Sequence, residues 1–316
     1  MHERLTSTAG NMRSRSIFRG RGQMSVMTTV RAIARHPLNA DRPGRALTRF
    51  VRWQIASRIA PGPVIVPFVN DAVLAVARGM TAATGNVYCG LYGFEEMGFL
   101  LHALRKGDLF VDVGANIGAY TVLAGAAVGA SCIAFEPAPS AFAALQRNIR
   151  LNDIGLLCDA HNAAAGGEDG VLLFTNDQGA TNHVALEMAK NTISVPVHTL
   201  DGVIGDRMPT IAKIDAEGFE TEVLKGALGL LGRTSLLAVI IQLNGRGALY
   251  GFDEESIRRK MLDCGLRLHR YDPFERKLME APRTNAGRYA LYCRDTDRVR
   301  WLVSSAPRYR VRDRDL

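Results

Sequence analysis

The segment VDVGANIGAYT, at Val111–Thr121, indicates the fold of this 316-residue chain. An apolar run ends in a glycine-containing turn and a second apolar run follows, which predicts a strand, a tight turn and a helix. Gly114 permits the turn because it has no Cβ, and Gly118 lets a ligand or a neighbouring strand approach the helix start. The next predicted strand, SCIAFE, ends in Glu136. An acid at this distance accepts hydrogen bonds from ribose hydroxyls, so the segment predicts a nucleoside site.

Strands and helices alternate along the chain that follows. The pattern predicts strands at Asp108–Val113, Ser131–Glu136, Leu156–Ala163, Thr210–Asp215, Leu236–Leu243, Leu266–Tyr271 and Arg288–Cys293. It predicts helices at Ala119–Val128, Pro139–Leu151, Phe219–Leu231 and Asp253–Cys264, and an inserted hairpin of Val171–Thr175 and Ile193–Val197. Such alternation predicts an α/β fold with a mostly parallel sheet covered on both faces. Ligands of such sheets bind at the carboxyl ends of the strands.

Composition divides the chain into four parts. Residues 1–44 are polar and Arg-rich, and we expect a flexible tail. Residues 45–104 form an extension, residues 105–294 the main domain and residues 295–316 a basic C-terminal tail. In the extension we expect a helix over 46–60 with one apolar stripe, a hairpin and a second helix; the stripe is Leu47, Phe50, Trp53, Ile55 and Ile59, the hairpin is Val64–Phe68 with Ala72–Ala77, and the second helix is Phe94–Leu104.

The net charge of +8 is concentrated at the ends. Residues 1–60 contain twelve arginines and two acids, and residues 294–316 contain seven arginines and four aspartates. Basic ends can bind nucleic acid or an anionic membrane surface. However, the chain has 33 Arg against 6 Lys throughout, which is typical of a codon bias. We therefore do not expect nucleic acid as a partner.

Cysteine usage and hydropathy exclude several classes of protein. The five cysteines are widely spaced and form no CxxC pair, which argues against a disulfide framework or a zinc cluster and favours reduced thiols in a cytoplasm. The stretch between Asp112 and Glu136 has no charged residue and is long enough to span a bilayer. It contains four glycines, so we expect a strand, turn, helix and strand there and no transmembrane segment.

The chemistry of the turn distinguishes two nucleoside cofactors. The dinucleotide fingerprint requires glycine at the places of Gly114, Asn116 and Ala119, and only the first matches. Asp112 and Asn116 instead offer acceptor oxygens beside the turn, and an acid there repels a pyrophosphate. The ammonium and sulfonium groups of S-adenosylmethionine suit such acceptors. We therefore expect S-adenosylmethionine as cofactor, the alternative being a glycine-rich turn with no ligand.

A second segment, IAKIDAEGFETEVLKG at Ile211–Gly226, places charges where a buried strand is expected. Lys213 and Asp215 are two residues apart, so they share a face of the strand, and burial makes a pair the simple expectation. Asp215 and Glu217 follow at the carboxyl end of the strand, where a substrate would lie. Alternatively, the glutamates of this segment only stabilise the positive start of the next helix.

These segments resemble the FkbM family of S-adenosylmethionine-dependent methyltransferases. The resemblance covers roughly residues 84–293 and rests on TGNVYCGLYGFEEMGF, GDLFVDVGANIGAYTVLA, AFEPAPSAFAALQRNI, HNAAAGGEDG, KIDAEGFETEVLKG and RYALYC. It implies the class I methyltransferase fold, a Rossmann-like, doubly wound sheet of seven mostly parallel strands with the last one antiparallel. It also implies methyl transfer to a hydroxyl of a saccharide or a secondary metabolite.

The resemblance also implies roles by position. The methionine end of the cofactor would be lined by Asp112, Gly114, Asn116 and Gly118. Glu136 would hold the ribose, Asn162 would lie near the adenine, and Glu96 or its neighbour Glu95 would close over the cofactor. Asp215 and Glu217 would face the methyl group and the acceptor.

Two places depart from the family pattern. Gln242 stands where the fifth strand often ends in an acid, and GATNHV, at Gly179–Val184, replaces a loop that is often serine-rich. Both lie where the acceptor should bind, so the acceptor and the general base stay open.

A hydroxyl is a weak nucleophile, so we expect a general base. The candidates are Asp215, Glu217 and His183, which lies in a polar loop; His161 fits a structural role better. Lys213 would oppose a rise in the pKa of a nearby carboxylate. Asp215 and Glu217 could also bind a divalent metal, but no third acid has a matching spacing, and we predict no metal site.

Several functions fit these observations. The leading hypothesis is an O-methyltransferase acting on a hydroxyl of a small molecule or saccharide. An RNA methyltransferase anchored by the Arg-rich first sixty residues and a non-catalytic protein that keeps the cofactor site are the alternatives. A dehydrogenase would require a pyrophosphate site that the sequence lacks. The oligomeric state is not indicated.

Overall fold

The N-terminal part of the chain consists of helices and one hairpin. In a computed structural model, residues 26–176, 178–281 and 288–316 are described. The first elements are α1 (Val26–Arg35), α2 (Pro43–Ile59), β1 (Val64–Pro67), β2 (Val73–Val76), α3 (Thr81–Cys89) and α4 (Phe94–Ala103). Strands β1 and β2 pair antiparallel, which confirms the predicted hairpin, and α4 confirms the second predicted helix. Helix α3 was not predicted.

Strands and helices alternate in the rest of the chain, as predicted. The elements are β3 (Leu109–Val113), α5 (Ala119–Val122, continued by a wide turn over Leu123–Val128), β4 (Ser131–Phe135), α6 (Pro139–Leu151), β5 (Cys158–His161), β6 (Ala164–Ala165), β7 (Gly170–Thr175), β8 (Thr192–His198), α7 (Leu200–Ile204), β9 (Ile211–Ile214), α8 (Glu220–Lys225), α9 (Leu228–Gly232), β10 (Ala238–Gln242), α10 (Glu254–Asp263), β11 (Arg267–Asp272), β12 (Lys277–Glu280), β13 (Tyr289–Cys293), α11 (Thr296–Ser304), β14 (Arg310–Val311) and β15 (Arg314–Asp315). Asp253 is the N-cap of α10, because its side chain accepts a hydrogen bond from the Glu255 amide.

The main sheet has the strand order β12-β11-β13-β10-β9-β3-β4-β5. Neighbours from β10 to β5 run parallel, whereas β13 runs antiparallel to both β10 and β11. This confirms the seven-stranded, mostly parallel arrangement, and β12 extends it as an eighth strand at the edge. From β3 the chain continues to β4 on one side and later to β9 on the other. The switch point of the sheet therefore lies between β3 and β9.

Alternate residues of the central strands pack on opposite faces of the sheet. On one face Phe110 belongs to a core with Phe99 of α4 and Leu123. On the other face Val111 belongs to a core with Val223 of α8. Both faces of β3 are buried, which explains why its sequence is apolar with one exception, Asp112.

The predicted helix Phe219–Leu231 is two short helices, α8 and α9. The chain turns at Gly226, where a Cβ would lie 2.0 Å from the carbonyl oxygen of Gly166. The Gly226 carbonyl accepts from the Asp201 amide, and the Asp201 carboxylate accepts from two backbone N–H groups in the first turn of α9, at 2.7 Å each. The helix therefore ends at Gly226, which packs closely against Gly166, and a second helix begins with Asp201 as its cap. Apolar periodicity alone predicts one continuous helix and does not detect this break.

Helix α2 confirms the predicted helix over 46–60, but its predicted stripe is wrong. Trp53 is buried, as is Ala46, whereas Ile55 and Ile59 are exposed. The apolar residues of α2 lie on two sides of the helix. Helical periodicity over so few positions does not distinguish the buried side from the exposed side.

The described parts of both predicted tails are folded and packed. Residues 1–25 lie outside the described residues. After them, α1 buries Ile33, and Asn39 Nδ2 donates to the Ile33 carbonyl at 2.9 Å. At the other end, α11 and the β14–β15 hairpin are packed, with Tyr309 and Leu316 buried. In the described part of the chain, no helix combines the length and apolarity that crossing a bilayer requires.

Candidate functional site

The two predicted segments meet at the switch point of the sheet. Gly114, directly after β3, has a φ of +71°, and a Cβ there would lie 2.0 Å from the carbonyl oxygen of Asp215. The Asp215 amide donates to the Val113 carbonyl at 3.1 Å. Only glycine allows this contact, so the turn after β3 fits directly against the loop after β9.

Asp112 and Lys213 form a buried ion pair beneath this turn. Lys213 Nζ lies 3.1 Å from Asp112 Oδ1 and donates to the carbonyls of Val113 and Gly114 at 3.2 and 2.9 Å. Asp112 Oδ2 accepts from the Thr121 hydroxyl at 2.8 Å. Both partners are almost completely buried. Asp112 therefore supports the turn from below, and its oxygens already have partners.

The expected pair of Lys213 and Asp215 is present as a long ion pair, but Lys213 has a closer partner in Asp112. Lys213 Nζ lies 4.0 Å from Asp215 Oδ2, farther than from Asp112. Asp112 occupies the neighbouring parallel strand in register with Lys213, so the closer pair forms across the sheet. Lys213 thus acts on the backbone of the turn and on Asp112 first.

Asp215 lies at the carboxyl end of β9 with one oxygen bound and one free of hydrogen bonds. Tyr289, the first residue of β13, donates its hydroxyl to Asp215 Oδ2 at 2.5 Å. Asp215 Oδ1 is buried and has no hydrogen-bond partner among the described residues; Arg288 Nη2 lies 4.0 Å away. A buried carboxylate oxygen without a donor is costly, so this atom is ready to accept from a bound molecule.

Tyr289 and Arg288 were missed by the sequence analysis. Because β13 is antiparallel, its first residue lies at the edge where β9 and β10 end, and Tyr289 pairs with Gln242 at that edge. The predicted antiparallel strand at Arg288–Cys293 contained this signal. Burial and the negative charge of Asp215 raise the pKa of Tyr289 far above its ordinary value, so its hydroxyl remains a donor.

Glu217 is held between two arginines. It is buried, Arg246 Nη1 donates to its Oε2, and Arg288 Nη2 donates to its Oε1 at 2.7 Å. Its backbone has a φ of +50°, unusual outside glycine. Glu217 therefore links the loop after β9 to the segments after β10 and before β13. Arg246 too was missed, because sequence spacing gave it no link to Glu217.

The other two glutamates of this segment follow the alternative interpretation. Glu220 Oε1 accepts from the amides of Ala216 and Gly218 at 3.0 and 3.2 Å, and burial raises its pKa to about 7. Glu222 pairs with Lys225 on the exposed side of α8. Glu220 therefore stabilises the loop after β9, and Glu222 contributes an ion pair on α8.

Glu136, at the end of β4, is bound by the backbone on both oxygens. Its Oε2 accepts from the Asn116 amide at 2.8 Å and its Oε1 from the Ala138 amide at 2.9 Å. Burial raises its pKa to about 7 although these bonds oppose the rise. Since a carboxylate has about four lone-pair directions, two further donors can still be accepted.

The two asparagines support loops. Asn116 has a φ of +54°, and its Oδ1 accepts from the Ile117 amide at 2.8 Å. Asn162 Nδ2 donates to the carbonyls of Glu136 and Pro137 at 2.8 and 3.1 Å. Gly118 starts α5 with a φ of +85° and lies against Leu145. These contacts hold the loops around Glu136 in one arrangement.

Tyr120 and Glu96 complete the acidic edge of the site. Burial, together with the negative charges of Glu96, Asp215 and Asp112, raises the pKa of Tyr120 well above its ordinary value. A Cβ on Gly93 would lie 3.0 Å from both Glu96 Oε2 and the Tyr120 hydroxyl oxygen, so these two side chains approach the same point. Burial raises the pKa of Glu96 to about 7.

Glu96 thus approaches the residues of the switch point, whereas Glu95 is exposed. Of the two positions that the resemblance left open, Glu96 is the one whose charge acts on Tyr120 beside the switch point.

His183 lies in the loop between β7 and β8 of the inserted sheet β6-β8-β7. Its amide donates to Thr175 Oγ1 at 2.9 Å, and its ring Nδ1 lies 3.1 Å from the Thr181 carbonyl. The next residue, Val184, accepts from the Tyr250 hydroxyl at 2.8 Å, and Tyr250 packs against Phe219. The insert is therefore joined to the loop after β9, but no contact between described residues joins His183 to Asp215.

His161 and Gln242 occupy buried or half-buried places. His161 stacks on Phe135 with ring centroids 5.0 Å apart, and its Nε2 lies 3.0 Å from Asp159. These contacts agree with the structural role expected for it. Gln242 accepts from Asn244 at 2.7 Å, and its Nε2 has no partner among the described residues.

The described residues contain no group of three potential metal ligands.

The comparisons with known proteins concern methyltransferases. Residues 112–268 match the family model of the methyltransferase FkbM domain. A curated relative, Methyltransferase 1 of Beauveria bassiana (strain ARSEF 2860), is 30% identical over 145 residues, which cover 38% of this chain and 58% of the relative.

Two solved structures are similar at low identity. Methyltransferase FkbM from Methylobacillus flagellatus KT is 18% identical with a TM-score of 0.43, over 84% of this chain and 65% of that chain. Precorrin-6y C5,15-methyltransferase from Geobacter metallireducens GS-15 is 9% identical with a TM-score of 0.40, over 70% and 93%. The chain thus spans less than two thirds of the curated relative and of the Methylobacillus protein. From the family model and the motifs within it, residues 112–268 form a methyltransferase FkbM domain.

Proposed function

We propose that the protein is an S-adenosylmethionine-dependent O-methyltransferase that acts on a hydroxyl group of a small molecule or saccharide. The observation that carries this proposal is Asp215. It has one oxygen fixed by Tyr289 and a second, buried oxygen without a hydrogen bond, at the carboxyl edge of the sheet. A hydroxyl of an acceptor is the kind of donor that this oxygen lacks.

The residues at the switch point fit the cofactor. Glu136 retains capacity for two donors after binding the backbone, which suits the two hydroxyls of a ribose. The Gly114 turn, fixed by Lys213 from below, would hold the methionine end. Glu96 and Glu136 form no ion pair among the described residues, and a cationic ligand would favour their ionised forms. When bound, S-adenosylmethionine supplies an electrophilic methyl group on a sulfonium.

The chain contributes position and proton acceptance. An acceptor hydroxyl that donates to Asp215 Oδ1 would be held in place, and its proton would pass to that oxygen as the new bond forms. Tyr289 fixes the carboxylate plane through Oδ2 and stays protonated. Lys213 positions the turn and Asp112, so we assign it a supporting role instead of a direct one.

Glu217 has a different place in this proposal. Both of its carboxylate oxygens are bound by arginines, so it would order the wall of the acceptor side. His183 stays an alternative base that would require movement of the insert. The RNA methyltransferase and the non-catalytic protein remain the alternatives, and the experiment below distinguishes both.

The test combines binding and turnover. Titration calorimetry with S-adenosylhomocysteine, with NAD as control, measures the cofactor site, and a panel of hydroxylated acceptors and RNA measures transfer. We expect Asp215→Asn to keep the affinity for S-adenosylhomocysteine within about twofold and to lower turnover by about a hundredfold or more. Asp206→Asn, an exposed aspartate on the same domain, is the matched control.

Three results would reject the proposal. Equal turnover in Asp215→Asn and the wild type would remove Asp215 from the chemistry. Binding of S-adenosylhomocysteine without transfer to any acceptor would favour the non-catalytic protein, and transfer to RNA alone would favour the RNA methyltransferase.

A further inference from the structure

The outer face of α2 exposes an aliphatic stripe. Val51, Ile55 and Ile59 are 53%, 54% and 77% exposed, although the same helix buries Trp53. The three residues are four apart, so their side chains are neighbours on one face of the helix. Three β-branched side chains in a row on a solvent-facing helix are unusual, because such faces of globular proteins are mainly polar.

Arginines border this stripe on both sides. At about 100° per residue, Arg58 lies along one side of the stripe and Arg52 along the other. Both arginines are exposed. Over residues 26–60 the chain has seven arginines and a single acid, Asp41. The outer face of α2, defined as Val51, Arg52, Ile55, Arg58 and Ile59, is therefore apolar at its centre and positive at its borders.

More exposed apolar residues lie close to α2 in the chain. Ile65 of β1, which follows the α2–β1 turn, is 56% exposed. Val26 and Met27, at the start of α1, are also exposed, and α1 packs against α2. Helices α1 and α2 thus combine exposed apolar side chains with arginines.

The chemistry of this face selects among partners. A second copy of the chain would place arginines against arginines, which is unfavourable. Single-stranded RNA is bound by aromatic side chains that stack on bases, but Trp53 is buried and Phe50 packs against Tyr88. An anionic bilayer offers both missing partners, because aliphatic side chains enter the boundary of headgroups and acyl chains while arginines pair with phosphates.

We propose that the outer face of α2 is a docking surface for an anionic phospholipid membrane. The helix would lie in the plane of the bilayer surface, with Val51, Ile55 and Ile59 inserted and Arg52 and Arg58 at the headgroups. The inference does not rest on the proposed reaction.

Hydrogen bonds connect the inner side of α2 to α3. Arg49 on the inner side of α2 donates to the Tyr88 carbonyl at 3.3 and 3.1 Å, and Gln54 donates to the Tyr88 hydroxyl at 3.0 Å. Tyr88 belongs to α3, and the short segment after α3 leads into α4 with Glu96. Docking would therefore place the helix that carries Glu96 close to the membrane surface.

Vesicle binding of the full chain tests the proposal. Co-sedimentation is measured with phosphatidylcholine vesicles with and without phosphatidylglycerol. We expect binding only to the anionic vesicles, with loss at high salt. The double variants Ile55→Ser/Ile59→Ser and Arg52→Glu/Arg58→Glu should each bind about tenfold more weakly or worse. Val171→Ser and Arg298→Glu are exposed controls on other elements and should bind like the wild type.

Several results would overturn the proposal. The first is that the wild type does not bind anionic vesicles. The second is that both double variants still bind them, which would place the lipid contact elsewhere. Vesicle-independent RNA binding that Arg52→Glu/Arg58→Glu abolishes would identify a nucleic-acid surface instead. A wild-type dimer in light scattering that Ile55→Ser/Ile59→Ser converts to a monomer would identify a self-interface. Because all four residues are exposed, thermal unfolding of the variants should match the wild type, and Val51→Ser repeats the test if one does not.

Discussion

Tyr289 of β13 donates its hydroxyl to Asp215 Oδ2 at 2.5 Å, across the end of the intervening strand β10. The bond joins the antiparallel strand of the sheet to the carboxyl end of β9. Asp215 Oδ1 is left as the oxygen that can meet an acceptor. The antiparallel strand therefore contributes to the site as well as to the sheet.

Tyr289→Phe should lower turnover more than it lowers cofactor affinity. The change removes the hydroxyl that donates to Asp215 Oδ2. The Asp215 carboxylate is then no longer held by this hydrogen bond and can rotate. We expect turnover to fall by about ten- to a hundredfold, with affinity for S-adenosylhomocysteine within about twofold. Steady-state kinetics and calorimetry on the same preparations measure both. Tyr292→Phe, on the same strand but in the other core, should leave turnover unchanged.

The sequence predicted the strands that end at the site but not all the side chains that meet there. Gly114, Glu136 and Asp215 could be found because each follows a strand within a short motif. Tyr289 and Arg246 come from distant segments, and their contacts depend on the register of β13 and on the loop after β10. Neither register nor loop path is contained in local spacing.

The partner of Lys213 illustrates a second limit. Periodicity placed Lys213 and Asp215 on one face of a strand, which is correct. The distance to Asp112 depends on the pairing of β9 with β3, where Asp112 and Lys213 are register partners. Asp112 and Lys213 are 101 residues apart in the chain. The pairing of two such distant strands can be predicted as an architecture, but its register requires the packed structure.

Lys213→Met should strongly destabilise the protein. The change leaves Asp112 buried without its counter-charge, and removing one partner of a buried pair costs about 3–5 kcal/mol. Urea unfolding followed by circular dichroism measures the free energy of unfolding. The double change Asp112→Leu/Lys213→Met should recover part of the loss, since no charge is left unpaired. If Lys213→Met were as stable as the wild type, the pair would not contribute as the geometry indicates.

Gly114→Ala should disrupt both segments of the site. The new Cβ would lie 2.0 Å from the Asp215 carbonyl, so the loop after β9 must move. Gly107→Ala is a matched control, because Gly107 has a similar φ of +87° but no heavy atom within 4 Å of the added Cβ. We expect Gly107→Ala to cost about 1 kcal/mol from backbone strain alone.

For Gly114→Ala we expect a larger loss and no detectable binding of S-adenosylhomocysteine. Calorimetry and thermal unfolding measure the two effects. Equal behaviour of the two alanine variants would show that the contact with Asp215 does not constrain the site.

The raised pKa values of the buried glutamates predict how stability depends on pH. Glu136 has a pKa of about 7 in the folded chain against 4.5 for its ordinary value. The folded chain therefore holds this proton more tightly than the unfolded chain. The stabilisation is fully present below pH 4.5 and is lost as the pH rises towards and through 7.

Glu136→Gln should remove this part of the pH dependence. Between about pH 5 and pH 8 the wild type should lose on the order of 1–3 kcal/mol through Glu136, because one pKa unit corresponds to about 1.4 kcal/mol. The variant should show a flatter curve over the same window, although Glu96 and Glu220 contribute in the same direction. Glu168→Gln, an exposed position, should reproduce the wild-type slope. Urea unfolding at a series of pH values measures all three, and a wild-type slope in Glu136→Gln would mean that this carboxyl does not bind its proton more tightly on folding.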